Sequence, residues 1–192
     1  MNENGKPEDE GDSGEEFTRA IAQDPGNAKA YLERGDWHLG EFRCDEAIRD
    51  FSSALALEPD MAKAYSLRGE AHGLKDLHEA AIADYTRAIA LDPNNDVTYY
   101  RRGHAFRDLG RYEEALRDFD RALCLDPTDA ITYRDRGRIH GSIGDFARAL
   151  ADFEKAAELS PIAGWVDDLL AETRAKHAAR AMQGEDHERK AD

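Results

Sequence analysis

Five of the six prolines in this chain, Pro25, Pro59, Pro93, Pro127 and Pro161, stand 34 residues apart. Proline lacks an amide donor and pushes the residue before it out of the helical region, so each marks a break between segments. A fixed period of this length is the mark of a repeated supersecondary unit, too small to bury a core alone but able to stack into an array.

Other residues keep the same period. Gly35, Gly69, Gly103 and Gly137 are preceded in every case by arginine (Arg34, Arg68, Arg102, Arg136), and three residues earlier by Tyr31, Tyr65, Tyr99 and Tyr133. Later in each unit come Ala47, Ala81, Ala115 and Ala149, then Asp50-Phe51, Asp84-Tyr85, Asp118-Phe119 and Asp152-Phe153, then Ala54, Ala88, Ala122 and Ala156. Tyr31, Arg34, Gly35 and His38 follow the i, i+3, i+4, i+7 spacing of one helix face, as do Ala47, Phe51 and Ala54. Each unit therefore reads as two helices. Between them falls a turn containing Gly40, Gly73, Gly110 or Gly144, and Asn27, Asn95 and Asp129 are placed to cap the helix that follows each proline. Small residues at the Gly35 and Ala47 positions let two helix backbones approach closely, with Phe51 filling the space beside them. Turns are expected near residues 25, 42, 59, 76, 93, 110, 127, 144 and 161, joining nine or ten helices without a strand.

This pattern of aromatic, Gly, Ala, aromatic, Ala and Pro resembles the tetratricopeptide repeat (TPR) family over residues 28–161, in its Tyr-x-x-Arg-Gly form. The resemblance implies an all-α fold: a right-handed TPR superhelix, or α-solenoid, of stacked antiparallel helix pairs. The expected units are 28–61, 62–95, 96–129 and 130–161, after a half-repeat helix at 15–27 that keeps Phe17 and Ala20 in phase with Phe51 and Ala54. A C-terminal capping helix over 162–182, opened by Ser160-Pro161 and carrying Trp165, Leu169 and Leu170 on one face, covers the last repeat. The polar stretches 1–14 and 183–192 are expected to be disordered.

Charge narrows the function classes. With 41 acidic and 26 basic side chains the net charge is −15, which opposes binding to nucleic-acid phosphates and to anionic lipid. No run approaches 18 apolar residues, and MNENGKPEDEGDSGEE carries no secretion or lipidation signal, so a cytoplasmic location is expected. Cys44 and Cys124 are read as buried small apolar residues in a reducing compartment.

Three constellations invite a chemical reading. His38, His72 and His140 recur one per unit, with Phe106 in the third, but stacked repeats stand roughly 8–10 Å apart and zinc ligands lie about 2 Å from one ion. They are read as packing histidines, and no metal or cofactor is expected. No phosphate loop, nucleophile elbow or metalloprotease helix is present, so the chain is expected not to be an enzyme. Arg34 and Asp50 lie equally far from the intervening turn, as do residues 68/84, 102/118 and 136/152, which predicts an ion-pair ladder along a half-buried seam. The competing reading places these arginines in a ligand groove.

In the family it resembles, the first helices of successive units line a concave groove. That implies a partner-binding surface including Lys29, Leu32, Lys63 and Leu67 from units one and two. Units three and four add Tyr100, Arg101, His104, Arg107, Arg134 and Arg138, a local basic cluster suited to an acidic segment of a protein or peptide partner. Of the five positions of the family's carboxylate clamp, occupied here by Leu32, Asp36, Leu67, Val97 and Arg101, only Arg101 fits. The function this implies is a protein-interaction adaptor or scaffold. Its rivals are a regulatory subunit of an enzyme complex and a TPR-type secretion chaperone.

Overall fold

A computed structural model describes residues 13–161 and 165–188. It contains ten helices and, among the described residues, no strand: α1 (Ser13–Gln23), α2 (Ala28–Gly40), α3 (Cys44–Leu57), α4 (Ala62–Leu74), α5 (His78–Leu91), α6 (Asp96–Asp108), α7 (Tyr112–Leu125), α8 (Ala130–Ser142), α9 (Phe146–Leu159) and α10 (Trp165–Glu188). Every expected turn centre out to residue 144 falls in a break between helices. The chain divides into two compact units, Met1–Leu109 and Gly110–Asp192, and the boundary runs through the turn of the third repeat. In the first unit α1 to α6 pack consecutively, α2 on α3 and α4 on α5 most extensively; in the second, α7 to α10 do the same.

The helix starts follow from capping chemistry. Asn27 accepts a hydrogen bond from the amide of Ala30, Asn95 from that of Thr98, and Asp129 from that of Ile131, each satisfying an amide that has no partner within the helix. The turns inside the pairs differ from expectation. Gly110 and Gly144 adopt positive φ, but in the first two repeats that conformation belongs to Phe42 (φ 58°) and Asp76 (φ 57°). Gly40 and Gly73 instead sit in the last turns of α2 and α4. Ser160 closes the C-terminal end of α9 rather than opening α10, which begins at Trp165. Helix α1 starts two residues inside the stretch expected to be disordered, and α10 runs on to Glu188. The rest of the two expected tails, and the first residues of the expected capping segment, lie outside the described residues.

Each second helix, α3, α5, α7 and α9, carries one buried aromatic ring. Phe51, Phe119 and Phe153 are at most 2% exposed, flanked by alanines that are fully buried or nearly so. A Cβ on Gly35 would lie 2.7 Å from the Phe51 ring, so glycine is what lets α2 meet α3 at that level. The N-terminal end uses the opposite size balance. Along the array Ile48 packs on the cluster that contains Ala71, and Ile82 on the one that contains Ala105. At the first interface the large partner is Trp37 on α2 and the small one is Gly14 on α1, where a Cβ would come within 2.6 Å of the indole. At the other end Leu169 and Leu170 of α10 cover Phe153 and Ala149, as a terminal cap requires.

The arginine series is structural. Arg34 makes a bidentate pair with Asp50 (2.8 and 2.7 Å), Arg68 with Asp84 (2.9 and 2.7 Å) and Arg136 with Asp152 (3.0 and 2.6 Å). Each guanidinium also lies over the tyrosine three residues before it, 5.4–5.8 Å from the ring centre in all four repeats. The remaining nitrogen reaches back to the preceding second helix: Arg34 to Thr18, Arg68 to Ser52, Arg102 to Thr86 and Arg136 to Asp120. The Tyr-x-x-Arg-Gly motif thus ties a pair together and ties it to its neighbour. Arg102 and Asp118 belong to different units.

The histidines join the same seam. The Nε2 atoms of His38 and His72 stand 3.6 Å from Asp50 and Asp84, and that of His140 stands 4.0 Å from Asp152, while all three Nδ1 atoms are buried without a hydrogen bond among the described residues. Burial holds all three imidazoles below the ordinary histidine pKa, outweighing the pull of the aspartates. The unfolded chain then takes up protons first as pH falls below about 6.5, so the native state loses stability in that window. The urea midpoint should drop between pH 7.5 and pH 5.5. The drop should shrink in His72→Phe, which copies Phe106. A midpoint that stays level or rises on acidification would show that these imidazoles are not held neutral by burial.

Cys124 departs from expectation. It is exposed on α7, outside the stripe formed by Ala115, Phe119, Ala122 and Leu123; Cys44 is half-buried against the first core.

Candidate partner-binding surface

The first helices of the repeats carry little of the core on one face. On α4, Lys63, Ser66, Leu67, Glu70 and Leu74 follow i, i+3, i+4, i+7, i+11 spacing and so form one stripe. On α6 the facing stripe is Val97, Tyr100, Arg101, His104 and Asp108. Between these stripes lie two cavities, both within the first unit. One, about 390 Å³, is lined by Lys63, Ser66, Leu67, Val97, Thr98 and Arg101, among others. The other, about 200 Å³, is lined by Glu70, Leu74, Tyr85, Tyr100, Arg101 and His104, among others. Arg101 borders both.

The electrostatics differ from the expected basic cluster. Arg101 pairs with Glu70 at 2.6 Å, Arg107 with the adjacent Asp108 at 2.7 Å, and Arg134 with Asp135 at 2.7 Å. Each guanidinium therefore arrives already neutralised. Only Arg138, exposed on α8 beside a cavity of about 170 Å³ that Leu169 and Thr173 also line, has no ion pair among the described residues. Burial pushes the Glu70 carboxyl up, with Arg101 opposing it. Asp135 is 1% exposed, so a change of Arg134 to an acid would set a second carboxylate against a buried one; Arg134 belongs to the scaffold.

The other candidates separate in the same way. Leu32 is 8% exposed and turned into the first core with Phe51 and Leu39, a cluster that also takes in Ala64 and Ala71 of α4. That removes it from the expected surface. Leu67 is half-buried, packing against the same core and also lining the larger cavity. Lys29 is exposed, 3.6 Å from Glu33, and Lys63 reaches Asp36 at 3.2 Å. Tyr100 and His104 meet edge to face, ring centres 4.4 Å apart. Tyr85 does not figure in the sequence reading of the surface, although it lines the smaller cavity. Its only sequence signal is that it is Tyr where the other three repeats have Phe. Among the described residues no group of three or more His, Cys, Asp or Glu could hold a metal ion, and no helix is long and apolar enough to cross a membrane.

Family models described as tetratricopeptide repeat match residues 104–184, 62–95 and 84–117, together spanning well over half of the chain. Comparison with curated proteins by sequence returns no match. Among solved structures, MamA is similar at 24% identity over 78% of this chain and 87% of its own, with a TM-score of 0.75. YrrB, described as a TPR protein with an unusual peptide-binding site, is similar at 23% identity over 87% and 86%, TM-score 0.76. A thermophilic TPR protein of Thermus thermophilus is similar at 20% identity over 86% and 89%, TM-score 0.64. These likenesses show a shared fold, and proteins of this family generally mediate protein–protein interactions and are typically not enzymes. With its 34-residue register, its stacked helix pairs and the matching family models, the chain belongs to the tetratricopeptide repeat family.

Proposed function

We propose that this protein is an interaction adaptor whose ligand is a peptide segment of a partner protein, held in the groove between α4 and α6. The observation that carries this reading is the pair of adjoining cavities along that seam, on either side of the Arg101–Glu70 pair. From Lys63 to Leu74 the groove follows α4 for roughly 16 Å, enough for about five residues of extended chain at about 3.3 Å each. The description of YrrB as a peptide binder supports the reading by analogy of fold.

The neutralised arginines bear on what the groove selects. An acidic segment would have to compete with Glu70 for Arg101, and the chain as a whole carries a charge of −15. Apolar contact is on offer instead, since Val97 and Leu74 are 47% and 52% exposed beside the cavities. A segment alternating apolar and neutral polar side chains fits this lining better than an acidic one. A reducing, cytoplasmic setting is part of the reading, supported by the two unpaired cysteines.

The test is selection of a random dodecapeptide display library on the full chain, followed by binding of the selected peptides to Val97→Glu. Val97 is exposed near the start of α6, where an acid also suits the helix dipole, so stability should change by under about 0.5 kcal/mol. Affinity should fall about tenfold or more, because a charge would then sit on the apolar wall. Peptides that bind the variant as tightly as the original protein would place the site elsewhere.

A further inference from the structure

Resting on the groove reading above, we propose that the smaller cavity is a specificity pocket for a primary-amide side chain, asparagine or glutamine, of the bound segment. Its built feature is Tyr85. The residue is 3% exposed and fills the place taken by Phe51, Phe119 and Phe153 in the other repeats, so its ring is core. Its hydroxyl is the one atom those phenylalanines lack. That oxygen lies near Gly73 of α4, where a Cβ would stand 3.9 Å away, and both residues line the cavity. Among the described residues it makes no hydrogen bond. A hydroxyl that opens into a cavity is satisfied by whatever occupies it, water or ligand, and a ligand that displaces the water must replace its hydrogen bond. Burial also pushes the phenol up, so at neutral pH it is an O–H donor.

Charge then decides among occupants. Glu70 and Arg101 lie in the wall with their charges spent on each other at 2.6 Å. A lysine or arginine from the ligand would meet Arg101, and an aspartate or glutamate would meet Glu70 and Asp108. An apolar side chain would displace water from the Tyr85 hydroxyl and from Glu70 and offer neither a hydrogen bond in return. A primary amide fits both, because its carbonyl accepts from the Tyr85 O–H while its NH₂ donates to Glu70. At about 30 Å³ per water, the cavity of about 200 Å³ has room for one medium side chain. The Tyr100 ring forms part of its wall.

The experiment repeats the dodecapeptide selection on the full chain and on Tyr85→Phe, which restores the residue the other repeats use and should keep the fold, as a thermal melt will verify. The original protein should enrich Asn or Gln at one peptide position. Individual peptides should lose about tenfold in affinity on Tyr85→Phe, and equally on replacing that amide residue by leucine. Peptides that are Val97-sensitive but show no amide preference would overturn this inference and leave the groove reading standing. So would an amide preference unchanged in Tyr85→Phe, since the hydroxyl would then meet only water. Failure to select any peptide, or peptides indifferent to Val97→Glu, would overturn both.

Discussion

Changing Asp84 to leucine should lower stability by about 3–5 kcal/mol, making it one of the most damaging single substitutions in the first unit. Its partner Arg68 would be left on the α4–α5 seam, with a guanidinium only 22% exposed and no carboxylate to accept its bidentate hydrogen bonds. The Ser52 hydroxyl and the Tyr65 ring, which Arg68 also touches, carry no full charge to replace it. Arg68→Leu should cost a similar amount, because Asp84 is 6% exposed and would be stranded in turn beside a neutral His72. The pair together is another matter. Two leucines leave no unpaired charge, and a buried ion pair often contributes little over apolar residues of like volume, so the double variant should recover most of the loss. At roughly 2–4 °C per kcal/mol for a chain of this size, either single change lowers the melting point by about 10 °C. Urea unfolding gives the energies, and hydrogen exchange in α4 and α5 locates them. A double variant as unstable as the sum of the two singles would mean that the residues do not act as a pair.

That pairing is legible before any coordinates, because two charges equidistant from a turn must sit level in an antiparallel helix pair. The same logic places the turns and the close approach of Gly35 to its partner helix. What periodicity cannot carry is whatever differs between repeats. Glu70 and Arg101 are 31 residues apart and meet only because α4 and α6 are neighbours, so a stripe rich in arginine looks basic although its charges are cancelled. The positive φ at Phe42 and Asp76 is hidden because both repeats carry a glycine nearby, at Gly40 and Gly73, which the helix retains. Leu32 shares its repeat position with the half-buried Ser66, Tyr100 and Arg134, yet it is itself buried in the first core. Tyr85 looks like a conservative core aromatic, and its one extra oxygen has meaning only once the cavity above it is seen. Regularity across the repeats exposes the scaffold; the proposed binding surface lies in the departures from it.

Glycine at the helix-contact position makes that division measurable. On intrinsic helix propensity, Gly35→Ala and Gly40→Ala should both stabilise α2, since alanine loses less backbone entropy on folding. Packing reverses the first. A Cβ on Gly35 would stand 2.7 and 2.9 Å from two atoms of the Phe51 ring and 3.2 Å from the Cβ of Asp50, all belonging to α3. Phe51 is fully buried and hemmed in by Ala47, Ala54 and Leu55, so it cannot swing away as an exposed side chain would. The helices must part, which also stretches the Arg34–Asp50 pair one residue away. The expected cost of Gly35→Ala is about 1–3 kcal/mol, as for other overpacked cores. A Cβ on Gly40 meets nothing within 4 Å, so that substitution should gain a few tenths of a kcal/mol. The two variants differ by the same methyl group on the same helix, five residues apart, and urea midpoints compare them directly. If Gly35→Ala proves neutral or stabilising, α2 and α3 have slack at this level, and the glycine series at 35, 69, 103 and 137 does not exist to let the helices touch.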